Sequence, residues 1–330
     1  MQQRTIRYGI IGFGRFAERA IAPAIRNAEN SALVALQKRQ IELARAKADE
    51  HAVPLAFHSV GDLVRHPDVD AVFITSANAV HCTETIAAAE AGKHVIVEKP
   101  MAMNAAEAAR MIDACDAHQV RLMVGHMVRL SPLVKRVKQI ADSGMIGTVK
   151  AARAEFFYDA RMSHRTWLID RAIAGGGPIF DVGVHCLDTL RFILDDEPVD
   201  VASALSPLPT EEVTEESAFV SLRFTRGVVA SIFCSYTAPL RRSFIEIVGT
   251  EGIVSAHDFT VSAQTGRITV TKGKGDRAVA TTLEEVIVPN LYIEEVSIFT
   301  RWILGGPKPA IDGGNGLRNQ LIIDRAIARL

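Results

Sequence analysis

The sequence predicts an α/β protein of two domains. Residues 1–125 form a doubly wound parallel sheet, and residues 126–330 form an α/β domain with an open, mainly antiparallel sheet. The first part alternates short apolar runs with helical segments, whereas after about residue 147 strand-like runs follow one another without helices. The length of 330 residues suits two domains, and 48% hydrophobic residues are enough for a large core.

Nearly continuous apolar runs in the first part are typical of strands that are covered on both faces. These runs are Tyr8–Gly12, Leu33–Leu36, Ala71–Ile74, His94–Val97 and Leu122–Val124. Segments with helical spacing lie between them, at Arg15–Asn27, Ile41–Glu50, Val80–Ala91 and Asn104–His118. The alternation predicts repeated βαβ units and therefore a parallel sheet.

The second part predicts strands at Lys150–Tyr158, Ser217–Phe224, Val228–Tyr236 and Phe244–Val248. Because they follow one another directly, antiparallel neighbours are the simplest arrangement. Alternation places Phe219, Val229 and Phe233 on one face that has few polar residues. That face is a candidate interface of a homodimer or homotetramer, although another layer of the same chain could cover it. The pattern leaves open whether the last helix packs back on the first domain.

Charge and cysteine content exclude several classes of protein. The chain has 37 basic and 38 acidic residues and a net charge of −1, so we expect neither nucleic acid nor a membrane as a partner. The four cysteines form no C-x-x-C pair, and we expect reduced thiols and no metal site. Without an apolar signal segment or a long apolar window, we expect a cytoplasmic protein.

A glycine motif, Gly12-Phe13-Gly14-Arg15-Phe16-Ala17, follows the first strand and opens a helix. In this context G-x-G-x-x-A predicts dinucleotide binding rather than an ordinary turn. Gly12 permits the tight turn, Gly14 lets the backbone approach a pyrophosphate, and Ala17 allows close helix packing. The amide groups at the helix N-terminus attract the phosphates.

The end of the second strand predicts which dinucleotide binds. An NAD site has an acidic residue there, about 20 residues after the glycines, whereas this chain reads Gln37-Lys38-Arg39-Gln40. Lys38 and Arg39 stand where a 2′-phosphate would lie, which favours NADP. NAD is the alternative, in which the two cations belong only to a solvated loop.

Further motifs carry a family resemblance. Ala91-Gly92-Lys93-His94-Val95 leading to Glu98-Lys99-Pro100 resembles the A-G-K-H-V-x-x-E-K-P motif of the Gfo/Idh/MocA oxidoreductases, the family of glucose-fructose oxidoreductase and inositol dehydrogenase. The resemblance extends over nearly the whole chain. It includes Ser76-Ala77-Asn78 with His81, Arg129-Leu130-Ser131-Pro132, Gly175-Gly176-Gly177 leading to Asp181 and His185, and Asn290-Leu291-Tyr292.

The resemblance implies a Rossmann domain and hydride transfer between NADP(H) and a secondary alcohol or ketone carbon of a sugar, polyol or cyclitol. It implies Lys99, Asp181 and His185 as catalytic residues. It also implies cofactor contacts from Gly12, Phe13, Gly14, Arg15, Phe16, Lys38, Arg39, Ser76, Asn78, His81, Glu98 and Lys99, with Trp167 and Tyr292 near the nicotinamide. Two departures are Leu168, where many relatives have arginine, and Ala77, where proline is usual.

The residue types support these roles. Asp181 and His185 are four residues apart, so on a helix opened by Gly177-Pro178 both project onto one face. The carboxylate could fix the tautomer of an imidazole that moves a proton. Lys99 has three donors that could orient a carbonyl. Alternatively, Asp181 is a local cap and His185 a core histidine.

Substrate contacts and rival functions are less constrained by the sequence. His126, His164 and Arg165 lie in segments that surround the substrate in relatives. One rival is a glycosidase that retains NAD(P) and cleaves by redox-elimination. The other is a non-catalytic dinucleotide sensor, which can lose the catalytic lysine or histidine, whereas this chain keeps Lys99 and His185.

Overall fold

The computed structural model describes residues 4–162, 165–275 and 277–328. The chain divides into two compact units. The first contains the residues up to Gly125 together with Tyr292–Gln320, and the second contains His126–Leu291 and the residues from Leu321 onward. Tyr292–Gln320 therefore belongs to the first unit, whereas the sequence predicted residues 126–330 as the second domain and left open only whether the last helix packs back on the first.

The first unit holds a six-stranded parallel sheet within the described residues. Its strands are β1 (Ile6–Ile11), β2 (Ser31–Gln37), β3 (Leu55–Phe57), β4 (Ala71–Ile74), β5 (His94–Val97) and β6 (Leu122–Val124), in the order β3-β2-β1-β4-β5-β6. All five predicted strands are confirmed, and β3, with three residues, is too short to show a pattern. The order reverses between β1 and β4, which is where open α/β sheets form their ligand crevice.

The second unit holds an eight-stranded mixed sheet. Its strands are β7 (Val149–Asp159), β8 (Pro198–Ser206), β9 (Ser217–Phe224), β10 (Val229–Ser235), β11 (Thr237–Gly249), β12 (Gly252–His257), β13 (Gln264–Lys274) and β14 (Arg277–Val288). The order is β14-β13-β12-β11-β7-β10-β9-β8. The mainly antiparallel sheet is confirmed, but β7 and β10 run parallel, so the expectation of antiparallel neighbours is wrong for that pair. The long segment between them allows the crossover that a parallel pair needs.

The helices follow the predicted positions closely in the first unit. In chain order they are α1 (Ala22–Asn27), α2 (Ile41–Glu50), α3 (Val60–Arg65), α4 (His81–Glu90), α5 (Ala105–Ala117), α6 (Pro132–Asp142), α7 (Arg171–Ala174), α8 (Val184–Leu194), α9 (Leu291–Ile303) and α10 (Gly313–Ile327). A π-helical stretch precedes α1 at Ala17–Ile21 and another precedes α8 at Ile179–Gly183. Among the described helices, none combines the length and the apolar character that a membrane crossing requires.

Helix α9 is joined to the first sheet by a buried polar contact. The Tyr8 hydroxyl on β1 lies 2.7 Å from the Thr300 hydroxyl, which in turn lies 2.8 Å from the hydroxyl of Ser31 on β2. Tyr8 is fully buried, and its hydroxyl would be costly to leave without a partner. These bonds explain why α9 belongs to the first unit.

Candidate active site

The glycine loop connects β1 to the helical segment that follows it. Gly12 has φ +77°, and a Cβ there would lie 2.7 Å from the backbone nitrogen of Ser76. Both features require glycine. The Phe13 amide donates to the Gln37 carbonyl at 2.9 Å, which fixes the loop against the end of β2.

Gln37 occupies the position where an NAD site has its acid. Its side chain is buried, its Oε1 accepts from the Gly12 amide at 3.0 Å, and its Nε2 donates to the His58 carbonyl at 2.9 Å. The Lys38 ammonium group donates to the Phe13 carbonyl at 3.1 Å. The chain therefore has a neutral amide and a cation at the glycine loop, whereas Arg39 is exposed beside them.

The two phenylalanines of the loop have different surroundings. Phe13 is 1% exposed and packs edge-on against His51, with ring centroids 5.6 Å apart, so its side chain belongs to the core. Phe16 is 37% exposed and packs edge-on against Tyr292 at 5.6 Å. The structure thus brings together Phe16 and Tyr292, two predicted cofactor contacts, while Arg15 is exposed next to Phe16.

The segment after β4 lies against the glycine loop. The Thr75 hydroxyl donates to the carbonyls of Ile11 and Gly12, at 3.0 Å each. His81 is fully buried, with Nδ1 3.0 Å from the Pro100 carbonyl and Nε2 3.3 Å from the Ser76 carbonyl. Burial lowers its pKa to about 4, so the ring is neutral. Both ring nitrogens face backbone carbonyls, and the contact with Ser76 places His81 beside the segment after β4, where its predicted role at the cofactor stays a prediction.

Lys99 follows β5, next to the segment after β4. The sequence predicted Asn78 and Glu98 there as further cofactor contacts; Asn78 is buried, and Glu98 and Lys99 are half-buried. The Glu98 carboxylate accepts the Lys99 amide at 3.2 Å. The Lys99–Pro100 peptide bond is cis.

Glu295 on α9 is a buried acid that was not predicted from the sequence. It is fully buried, and neither of its carboxyl oxygens has a hydrogen-bond partner among the described residues. Burial raises the pKa of Glu295 well above its usual range, and the Glu98 carboxylate raises it further. Burial and the Glu98 carboxylate thus both favour the neutral form of Glu295.

In the second unit, Asp181 lies in a network of donors. Arg165 donates to both carboxylate oxygens at 3.0 Å, and the Tyr158 hydroxyl donates to Oδ2 at 2.7 Å. The Asp181 side chain is 8% exposed and that of Arg165 is 42% exposed. Burial opposes the charge of Arg165, but Asp181 and Tyr158 outweigh it and raise the arginine pKa. Asp181 is thus an ionised carboxylate with a fixed orientation.

His185 lies one helical turn after Asp181 and is buried. Its ring centroid is 6.1 Å from that of Phe156, and the Phe156 ring is 6.4 Å from that of Tyr158. Tyr236 packs edge-on against Tyr158 at 5.5 Å, and its buried hydroxyl has no hydrogen-bond partner within the described part of the chain. The predicted pair therefore lies among aromatic rings, with two tyrosine hydroxyls nearby.

Glu215 fixes the start of the helical segment that carries Asp181 and His185. Its carboxyl oxygens accept the amides of Gly177 and Ile179 at 3.0 and 3.2 Å. A Cβ on Gly177 would collide with the Glu215 carbonyl oxygen, so only glycine allows this approach. The predicted helix start at Gly177-Pro178 is correct, but the helix begins with a π-helical stretch.

The remaining predicted residues of this unit have varied positions. Arg129 forms a bidentate ion pair with buried Asp188, at 2.9 and 2.8 Å, which gives this motif arginine a structural role. His126 is 2% exposed and helps to lower the Asp188 pKa against the effect of burial. Trp167 is half-buried in a 3₁₀ turn, and the adjacent Leu168 is buried. His164 lies outside the described residues.

One cluster of two glutamates and a histidine has the spacing of a metal site. Ligand atoms of Glu18, Glu50 and His51 lie within 4.8 Å of one another. The Lys47 ammonium group donates to both glutamates at 2.8 Å. The chain itself thus supplies the cation at this cluster.

Comparison with known proteins agrees with this geometry. Residues 6–126 match the model of the oxidoreductase family with an NAD-binding Rossmann fold, and residues 134–255 match the GFO/IDH/MocA C-terminal domain. The chain belongs to the Gfo/Idh/MocA oxidoreductase family. The predicted family is confirmed, and the protein is an NAD(P)-dependent oxidoreductase.

Members of this family resemble the chain over most of its length. It is 31% identical to a 1,5-anhydro-D-fructose reductase of Ensifer adhaerens, over 94% of this chain and 92% of the relative. It is 30% identical to a D-xylose 1-dehydrogenase (NADP⁺) of Haloarcula marismortui, over 76% of this chain and 71% of the relative. The crystal structure of an aldose-aldose oxidoreductase from Caulobacter crescentus superposes with a TM-score of 0.88 at 26% identity and covers 98% of each chain.

Proposed function

We propose that this protein transfers hydride between NADP(H) and a secondary alcohol or ketone carbon of a sugar, polyol or cyclitol. The observation that carries the proposal is the common position of Gly12, Ser76 and Lys99, which follow the neighbouring strands β1, β4 and β5 at their carboxyl ends. The relatives named for 1,5-anhydro-D-fructose and D-xylose support the substrate class.

The glycine loop fits a dinucleotide. Gly12 and Gly14 have no side chains, so a ligand can approach the backbone of the loop closely. A side chain at Gly12 would collide with Ser76. The bound nicotinamide would supply or accept the hydride. We assign the pyrophosphate to the amides of the loop, and the rest of the dinucleotide to Arg15, Phe16, Ser76, Asn78, Glu98, Trp167 and Tyr292.

Lys99 and His185 handle the proton in this proposal. A ketone that accepts hydride also needs a proton on its oxygen, and both side chains carry donors at neutral pH. Asp181 is held by Arg165 and Tyr158, so its carboxylate has a fixed orientation one helical turn before His185, and we propose that it helps to stabilise a cationic imidazole there. We infer that Arg165 and Tyr158 are positioning residues for Asp181.

We propose NADP as the preferred cofactor. Gln37 cannot accept both ribose hydroxyls as a carboxylate does, because half of its amide is a donor already bound to His58. Lys38 and Arg39 supply two positive charges for a 2′-phosphate. Titration with NADPH and NADH tests the preference, and tighter binding of NADH would refute it.

A screen of purified protein tests the reaction. Keto sugars, including 1,5-anhydro-D-fructose, are supplied with NADPH, and D-xylose and polyols are supplied with NADP, while the nicotinamide absorbance is followed. Net change of the cofactor supports hydride transfer to a substrate. Cleavage of a glycoside without net change would instead support redox-elimination, and tight cofactor binding without turnover of any compound would support a sensor.

We also propose a homo-oligomer built on the open face of the eight-stranded sheet. Phe219 and Phe233 lie directly opposite each other on β9 and β10, and they are 47% and 37% exposed. The register continues the same face to Leu283 on β14, which is 62% exposed. Charged residues of the same face, including Arg153, Glu246 and Arg267, lie between these two ends. We propose that the exposed phenylalanines at the β9–β10 end contact a second copy of the chain.

We propose a cytoplasmic location on the basis of the cysteines. Cys82, Cys115, Cys186 and Cys234 are all free and buried. Free thiols are typical of a reducing compartment. Fractionation of cells that produce the protein, with detection in the membrane and the soluble fractions, tests this proposal.

A further inference from the structure

The Ser76 side chain is bound to a carboxyl group that the proposed reaction does not use. Ser76 and Glu84 Oε2 on α4 are hydrogen-bonded. On the other side, the Ser76 backbone lies against Gly12, and its carbonyl faces His81. The serine hydroxyl is therefore held between α4 and the glycine loop, and Glu84 fixes its direction.

Glu84 is half-buried, and its charge is sensitive to pH. Burial raises the pKa of Glu84 to about 7, although the hydrogen bond from Ser76 lowers it. The carboxyl group thus changes from neutral to anionic near neutral pH. Below that pH it has a proton of its own to donate.

The number of protons in this hydrogen bond decides what Ser76 can offer a ligand. A hydroxyl has one proton, and an ionised carboxylate can only accept. When Glu84 is ionised, Ser76 must donate its proton to Glu84. When Glu84 is neutral, the acid can donate to the serine oxygen, and the serine proton becomes available to an acceptor such as a phosphate or carboxamide oxygen.

We propose that Glu84 is a positioning residue for the cofactor, and that its neutral form lets Ser76 donate a hydrogen bond to NADP(H). The inference rests on the proposed assignment of Ser76 to the cofactor site. A second effect has the same sign, because an anionic Glu84 repels the negatively charged dinucleotide. Affinity for NADPH should therefore fall as the pH rises through neutrality.

Other ionisable groups near α4 make different contacts. Burial lowers the pKa of His81 and of His94 on β5 to about 4, so both stay neutral in the range of the test. Cys82 on α4 interacts with Glu107 and Arg110 of α5, and Asp62 pairs with Arg65 on α3 at 2.9 Å. Lys99, after β5, acts on His81. Ser76 is the hydrogen-bond partner of Glu84 within the described residues.

The test measures the dissociation constant of NADPH from about pH 6 to about pH 8.5. In the wild type we expect affinity to weaken about three- to tenfold over this range, the size of one hydrogen bond. Glu84→Gln should bind as tightly as wild type at low pH and show a smaller slope, because its amide donates to Ser76 as the neutral acid does. Ser76→Ala should bind more weakly at low pH, also with a smaller slope. Glu90→Gln, on the exposed part of the same helix, should follow the wild type.

Two features make the test decisive. The 2′-phosphate of NADPH itself titrates near pH 6, and its contribution is common to all variants. Calorimetry in buffers of different ionisation enthalpy should show proton uptake by the wild type near pH 7, and less uptake by Glu84→Gln. Melting temperatures verify that each variant is folded.

The outcomes separate this inference from the proposed site. If Glu84→Gln keeps the wild-type slope, or if Ser76→Ala binds more weakly but keeps that slope, the role of Glu84 is refuted while Ser76 stays in the site. If Ser76→Ala leaves NADPH affinity unchanged at every pH, both the role of Glu84 and the assignment of Ser76 are refuted.

Discussion

The two sheets of this protein use their strands in different ways. In the six-stranded sheet, β4 is buried at every residue and β1 at all but one, so the strands themselves offer nothing to a ligand. In the eight-stranded sheet, β9 alternates buried with exposed residues, and Phe219 is on the exposed side. A sheet covered on both faces leaves only its strand ends for chemistry, whereas a sheet covered on one face leaves the other for a partner.

The largest effect that tests this comparison is on turnover. Lys99 follows a strand end of the first sheet, and His185 is in the second unit. If both act when hydride moves, Lys99→Ala and His185→Ala should each lower kcat by on the order of 10²- to 10⁴-fold, as loss of a positioned acid or base does. NADPH affinity should change far less for His185→Ala. Steady-state kinetics on the substrate found by the screen measure kcat, and titration with NADPH measures the affinity for the cofactor.

Matched controls separate chemistry from general damage. Lys135→Ala and His118→Ala change exposed residues of the same types and should retain wild-type turnover. Asp181→Asn should have an intermediate effect, because the imidazole stays but loses a stabilising charge. Wild-type turnover in His185→Ala would make His185 a core histidine.

The second effect tests the open face. Phe233→Asp puts a charge where we propose that two subunits meet. In a symmetric dimer each subunit contributes one such charge to the interface. Because burying one phenylalanine contributes about 1.5–3 kcal/mol, the dissociation constant of a dimer should rise at least about 10²-fold. Light scattering at low micromolar concentration measures the mass. Leu208→Asp, at another exposed apolar residue, is the control; a wild type that is itself a monomer would refute the interface.

Sequence reasoning predicted the first sheet better than the second for a physical reason. Continuous apolar runs such as Ala71–Ile74 are visible because both faces are buried. In contrast, β14 is exposed along most of its length, and its polar and apolar residues give no burial pattern. The partners of Asp181 were missed because Arg165 is 16 residues away and Tyr158 is 23 residues away, joined to Asp181 only by the tertiary fold.

Two missed residues did carry a signal. At Gln37 the sequence was interpreted only as lacking the acidic residue of an NAD site. A side-chain amide can both donate and accept hydrogen bonds, so it is also well suited to connect two loops, as Gln37 does with Gly12 and His58. Glu295 lies four residues from both Leu291 and Phe299, which are fully buried, so helical spacing places it on the buried face of α9. No comparable pattern indicated Glu84, whose role depends on the position of Ser76.

The third effect concerns the end of β2. Arg39→Ala should weaken NADP binding by about 1.5–3 kcal/mol, roughly 10- to 150-fold, because one charge-assisted contact to the 2′-phosphate is lost. NAD, which lacks that phosphate, should bind the variant as it binds the wild type. Titration of both cofactors against both proteins gives the comparison. Equal losses for NAD and NADP would show that Arg39 does not recognise the phosphate.

The last effect concerns Glu295, a fully buried acid in the interior of the first unit. Its pKa in the folded state is raised, so the folded protein holds a proton that the unfolded chain releases above the usual pKa of glutamate. This group therefore costs no stability at low pH and a growing amount as the pH rises, up to about 1.4 kcal/mol per pH unit. Glu295→Gln, which is neutral at every pH, removes that cost.

The free energies of unfolding of wild type and Glu295→Gln should thus be close near pH 5 and diverge toward pH 8, with the variant the more stable. Denaturant titrations at both pH values measure the difference. Glu294→Gln, an exchange of the neighbouring residue, whose side chain is 43% exposed, should show no such divergence. A constant difference between wild type and Glu295→Gln at both pH values would mean that Glu295 is ionised in the folded protein and that a charge is tolerated beside Glu98.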